Sequence, residues 1–204
     1  MRPLPRLELL PPEPPALHGR AAADLRFIRE TMERSAAFTA VPGKGAVVMG
    51  AIGLAGAAVA EQETTPGAWL SVWALAAGAA VVVGGVALWR KASAAGTPIS
   101  RGVGARFVGG LCPPLVAGAA LTLALWRADA TAALPAAWLA LYGTGLLAAG
   151  LFSERIVRVL GASFLALGAL AALAPLPLGD GLMALGFGGL HVGFGIAIWR
   201  RYGG

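Results

Sequence analysis

Few residues in this chain could do chemistry, and they are scattered. The stretch GFGGLHVGFG, residues 186–195, sets His191 inside an apolar run, and it is one of only two histidines. A neutral imidazole in such a setting either hydrogen-bonds a neighbouring helix or serves as a ligand, proton or metal site. The single thiol, Cys112, stands directly before Pro113 and Pro114. Tyr142 and Thr144 belong to YGTG, and Ser71, Thr122, Ser153 and Ser163 complete the polar groups within apolar runs. Carboxylates stay at the margins of those runs: Asp129, Asp180 and Glu154. Proton-coupled pumps usually carry a buried acid, so that class is not expected. One His and one Cys fall short of the four ligands of zinc, or three plus water. A single His could hold a haem, but no second signature accompanies it. The expectation is therefore no metal, no cofactor and no catalytic residue. His191, Cys112, Tyr142 and Thr144 remain as a candidate polar intramembrane site.

The elements that must position these groups follow from composition. Of 204 residues 57% are hydrophobic and only 13% charged, where a soluble domain carries about 25% charged residues. Six apolar runs occur at about 45–60, 68–89, 107–126, 132–152, 156–174 and 178–199. A membrane-spanning helix needs about 17–25 residues, so the first run is short. This predicts an all-α polytopic membrane protein of six spans. His191 precedes Trp199 by eight residues, which places it about 12 Å deep, near mid-bilayer. Cys112 follows Arg106 by six residues, about 9 Å deep on the same side, a depth compatible with contact.

Charge fixes the expected orientation. Fifteen of the sixteen Lys and Arg lie in the N-terminal segment, the second–third and fourth–fifth connections and the C-terminus, with Arg127 alone on the other side. By the positive-inside rule both termini are cytoplasmic, in a bacterial cytoplasmic membrane. The net charge of +6 is thereby accounted for without nucleic acid. Trp69, Trp126 and Trp138 mark the outer interface and Trp89 and Trp199 the inner one, as in an aromatic belt. Trp73 lies one turn deeper.

Ahead of the spans, residues 1–21 form a tail whose first 19 residues hold six of the fourteen prolines, incompatible with a regular helix. Residues 22–42 comprise a helix and a turn. Leu25, Ile28, Met32 and Ala36 recur at helical spacing, while Arg26, Arg29 and Arg34 pair at three or four residues with Glu30 and Glu33. This predicts an amphipathic helix on the cytoplasmic membrane surface, with AVPG at 40–43 turning the chain inward. The AVA before Glu61 resembles a signal cleavage site. It lies too far along the chain for a secretory signal of about 15–30 residues. Residues 43–204 are the membrane domain.

Glycine is abundant, with 30 residues, many inside spans. In a bilayer, glycine lets helix backbones approach closely. Gly186 and Gly193, and Gly188 and Gly195, each lie seven apart, and Gly189 and Gly193 four apart. That spacing predicts one close-packing stripe on the last span, with Phe187 and Phe194 as knobs beside it. On this reading Gly189→Leu and Gly193→Leu damage packing more than His191→Leu. A weak internal repeat pairs PGAWL at 66–70 with PAAWL at 135–139, and Pro66, Pro135 and Pro177 each open a helix. Three tandem helical hairpins would give this pattern.

Two resemblances bear on function. YGTG in the fourth span and His191 in the sixth make the chain superficially similar to rhomboid-type intramembrane proteases. However, Thr144 stands where the serine nucleophile would be, and the second span holds no His or Asn for an oxyanion hole. Proteolysis is not expected. TMERSAAFTAVPGKG (31–45) and GGLHVGFGIAIWRRYGG (188–204) resemble a group of small six-helix bacterial membrane proteins of no established function. The resemblance implies that the surface helix, the AVPG turn and the last span act together. The expected function is a non-catalytic accessory or scaffold subunit of a membrane complex, or a homo-oligomer, in the lipid bilayer. The alternatives are a channel or transporter for a neutral or weakly polar solute, and a cofactor-binding protein using His191.

Overall fold

The computed structural model describes residues 17–35, 37–173 and 178–203. The proline-rich segment up to residue 16, Pro177 and the Arg34 side chain lie outside the described residues. The described chain is helical without strands, and two units separate after Ser35.

In the first unit, α1 spans Leu17–Ser35. It starts earlier than residue 22, because the segment after Pro15 contains no further proline and Gly19 does not halt a helix that is already under way. Leu25, Ile28 and Met32 expose half or more of their surface, and Arg26 and Arg29 are exposed. The amphipathic pattern is present, and its apolar face is open.

In the second unit α2 spans Gly43–Ala60, α3 Pro66–Ala94, α4 Gly102–Arg127, α5 Leu134–Gly150 and α6 Arg155–Leu173. The last span is composite. It comprises α7 (Leu178–Met183), a π-helical segment (Ala184–Leu190) and α8 (His191–Tyr202). Six helices are long and apolar enough to cross a membrane. At 29 residues α3 extends about 44 Å, longer than a hydrocarbon core of about 30 Å, and its surplus turns carry Arg90 and Lys91. Thr65 caps this helix by accepting from Ala68 N–H at 3.2 Å, with Pro66 at its first position. That is the place where a missing N–H is harmless. Helix α4 continues through Pro113 and Pro114.

Backbone-to-backbone contact at glycines holds these helices together. A Cβ on Gly143 of α5 would lie 2.5 Å from Leu165 N and 2.8 Å from Gly161 O of α6, and one on Gly168 of α6 would lie 2.6 Å from Ala140 N. Between α2 and the last span, a Cβ on Gly53 would meet Phe187 O at 2.5 Å, and one on Gly195 would meet Val47 N at 2.7 Å. Lipid chains are as apolar as leucine, so association rests on this closeness rather than on expulsion of water. The hairpins α2–α3 and α4–α5 form as the repeat implies, but the last span packs mainly along α2 rather than on its sequence neighbour α6. First and last spans therefore close the bundle.

We call the end of the second unit that carries Phe38, Lys91 and Tyr202 the basic end and the other the far end. The basic end is sealed by the chain just after α1. Phe38 is buried (1% exposed), its ring centroid 4.8 Å from that of Phe107. Its N–H donates to Phe152 O at 2.7 Å, and its carbonyl accepts from Ser153 Oγ at 2.6 Å. Lys91 Nζ donates to the carbonyls of Val41 (3.0 Å), Tyr202 (3.1 Å) and Gly203 (2.6 Å). One ammonium thus ties the AVPG turn, α3 and the end of the last span together.

Candidate functional site

His191 opens α8 immediately after the π segment. A π turn bonds residue i to i+5, which brings those residues onto one face. Gly186 and His191 are five apart, and both face Phe164 of α6. A Cβ on Gly186 would lie 3.1 Å from that ring, and the His191 ring meets it edge-on with centroids 5.2 Å apart. In an uninterrupted α-helix they would diverge by about 140°. Three glycines inside seven residues (Gly186, Gly188, Gly189) leave the widened turn free of side-chain obstruction. Such π turns recur at functional sites.

The imidazole is 4% exposed. Its Nε2 lies 2.8 Å from the Tyr142 hydroxyl of α5. Tyr142, Phe164 and Phe187 surround it, with ring centroids at 5.3, 5.2 and 6.4 Å. Nδ1 is buried and has no hydrogen-bond partner among the described residues. Tyr142 Oη and Nε2 share this one hydrogen bond, and which of them donates follows the imidazole tautomer. Trp73 of α3 packs on the other side of Phe187 at 6.3 Å, and its buried Nε1 is likewise unbonded among the described residues. The arrangement is a closed aromatic cage around one neutral polar pair. It can hold a proton between one oxygen, Tyr142 Oη, and one nitrogen, His191 Nε2, and it links α5 to the last span.

Of the four candidate polar residues, only His191 and Tyr142 come together. Thr144 is exposed and donates to Ala140 O at 2.8 Å, one turn back in its own helix. Two residues from Tyr142 on an α-helix, it points away. Cys112 is exposed on α4 and does not share the His191 cage, since equal depth does not fix the side of a bundle.

The glycine stripe also needs correction. Gly186 faces Leu139 and Phe164, Gly188 faces Leu54, and Gly195 faces Val47, all at close range. Gly193 has nothing within 4 Å of a would-be Cβ, and Gly189 meets only Leu185 of its own turn. The π turn rotates Gly186 away from Gly193, so their spacing of seven does not make one face. The expectation that Gly189 and Gly193 are the damaging positions does not hold. Phe164 carried no signal as a cage wall, because it is one apolar residue among many, whereas Trp73 was legible as a tryptophan set one turn deeper than the outer belt and Phe187 as a neighbour of the glycines.

The polar pair can be weighed directly. In a double-mutant cycle of His191→Leu and Tyr142→Phe, scored by denaturant unfolding in micelles, the expected coupling is about 0.6–1.7 kcal/mol. Zero coupling would mean that the hydroxyl and imidazole do not recognise each other in the folded bundle.

Compared with known proteins, the chain matches no family model, no curated protein sequence and no solved structure.

Proposed function

We propose that this chain is a non-catalytic structural subunit of a membrane assembly, built either from its own copies or beside other membrane proteins. We place it in a bacterial cytoplasmic membrane, with both termini on the cytoplasmic side. Orientation rests on the fifteen basic residues gathered at one end.

The observation that carries the reading is how few residues of two spans are buried within the chain, the rest being exposed or half-buried. Only 6% of the apolar window of α3, and 6% of that of α4, is buried within the chain. Apolarity alone would be satisfied by lipid, so exposed valines and leucines do not demand a protein neighbour. Glycine is different, because it weakens a helix unless another backbone uses the space it leaves. On α2, α5 and α6 those spaces are filled. On α3, Gly78 and Gly85 have nothing within 4 Å, nor has Gly109 on α4. Gly78 and Gly85 lie seven apart in a regular helix, hence on one face, with Val82 exposed between them.

Native mass spectrometry after gentle extraction from the membrane tests the reading. The expected species is an oligomer or a complex with a second chain. The double variant Gly78→Leu, Gly85→Leu should shift it at least tenfold towards the single chain while the bundle stays folded. A wild-type protein carrying only lipid at every dilution would sink the proposal.

A further inference from the structure

At the far end, the α2–α3 connection, the α4–α5 connection and the start of α7 line an open cleft of about 240 Å³. It lies where the two P-x-A-W-L segments converge. Pro66 and Pro135 both line it, and the two tryptophans of the repeat, Trp69 and Trp138, stack with centroids 5.8 Å apart and planes 8° from parallel. Each indole is also held by its N–H. Trp69 Nε1 donates to Asp180 Oδ1 at 2.8 Å, and Trp138 Nε1 donates to Thr122 Oγ1 at 2.7 Å. The cleft therefore has a rigid aromatic wall, Trp69, with the carboxylates of Asp180 and Glu63 in its lining and no Lys, Arg or His among the lining residues.

The sign of the ligand follows from these charges. Helices α3 and α5 begin at the cleft, and each N-terminus contributes about half a positive charge. Two full carboxylate charges outweigh them, so the cleft favours a cation. An indole wall favours an organic cation, which meets a ring face with little loss of hydration, over a strongly hydrated metal ion. Drug-sized pockets start at about 300 Å³, so this one suits a smaller group. We propose that the cleft binds a small organic ammonium group, carried either by a free amine or by the ethanolamine headgroup of a neighbouring lipid. Asp180 serves two ends: one oxygen fixes Trp69, and the carboxylate charge receives the ammonium beside that ring.

The test uses the full-length protein in micelles, with ethanolamine as the soluble probe and tryptophan fluorescence as the readout, against potassium chloride at equal ionic strength. In parallel, protein is released in the mass spectrometer from nanodiscs of phosphatidylethanolamine with phosphatidylglycerol, and from nanodiscs of phosphatidylglycerol alone. A saturable ethanolamine response, weakened at least tenfold by Asp180→Asn, identifies a free-amine site. Retention of one phosphatidylethanolamine, lost in the same variant, identifies a headgroup site. Asparagine keeps an oxygen for Trp69, and Glu63→Gln, in an exposed connection, supplies a second variant that leaves the bundle untouched and should weaken binding several-fold. If the wild type shows neither response, or both variants bind as the wild type does, the proposal is overturned.

Discussion

Replacing Phe38 by alanine should destabilise the bundle by about 3–5 kcal/mol, the cost of truncating a buried phenylalanine. The upper part of that range is expected for a specific reason. Cavities are costly when their walls cannot relax, and here the walls are pinned. The Phe38 backbone is held on both sides, through its N–H on Phe152 and its carbonyl on Ser153 Oγ. The Phe107 ring that it covers is itself buried. The segment therefore cannot slide inward to fill the space left by the ring. Denaturant unfolding of Phe38→Ala in mixed micelles measures the effect. Phe27→Ala is the control, since Phe27 of α1 is 70% exposed and its loss should change stability by less than about 0.5 kcal/mol. Equal behaviour of the two variants would show that Phe38 does not seal the basic end.

Gly143→Ala should be among the most damaging single methyl additions in the membrane interior, alongside Gly53→Ala. A Cβ there would stand 2.5 Å from Leu165 N and 2.8 Å from Gly161 O. Both obstructing atoms are backbone, so no side chain can swing aside, and α5 and α6 must separate along their shared length. Overpacking of this kind costs about 1–3 kcal/mol, and the helical preference for alanine over glycine returns at most about 1 kcal/mol. We expect a net loss of about 2 kcal/mol. Gly161→Ala, across the same contact, should cost a similar amount, and the double variant should fall short of the sum because the first methyl has already parted the helices. Gly193→Ala, with nothing within 4 Å, should be neutral or slightly stabilising. Unfolding free energies for the four variants, measured side by side, check the order. If Gly193→Ala were as harmful as Gly143→Ala, the contacts at Gly143 would not govern stability.

These two positions also show what a sequence makes legible. Six spans could be counted because burial in lipid depends on each residue's own transfer free energy, which adds along a run whatever the neighbours are. The amphipathic character of α1 was legible for a similar reason: the period of 3.6 is a property of the helix itself. Phe38 gave no warning. It stands just beyond that pattern, and its burial comes from pairing with Phe152 and Ser153, more than a hundred residues away. Gly143 was one glycine among thirty.

His191 lies between these cases. Its isolation in an apolar run was enough to single it out, and Tyr142 was among the polar residues named with it. Which of the candidates would meet it depended on rotation about two helix axes. The π segment sets one of those rotations, because one extra residue in a turn swings everything before it by about 100° relative to everything after it. That swing brings Gly186 and His191 onto a common face and separates Gly186 from Gly193. Composition, span count and the gathering of positive charge at one end belong to the sequence by itself, since each is a sum over local residues. The Tyr142–His191 pair, the Phe38 seal, the choice of glycines that touch and the converging Trp69–Trp138 wall were decided only in the tertiary structure. Each depends on the relative rotation and offset of segments distant in the chain, and no local sum contains those quantities.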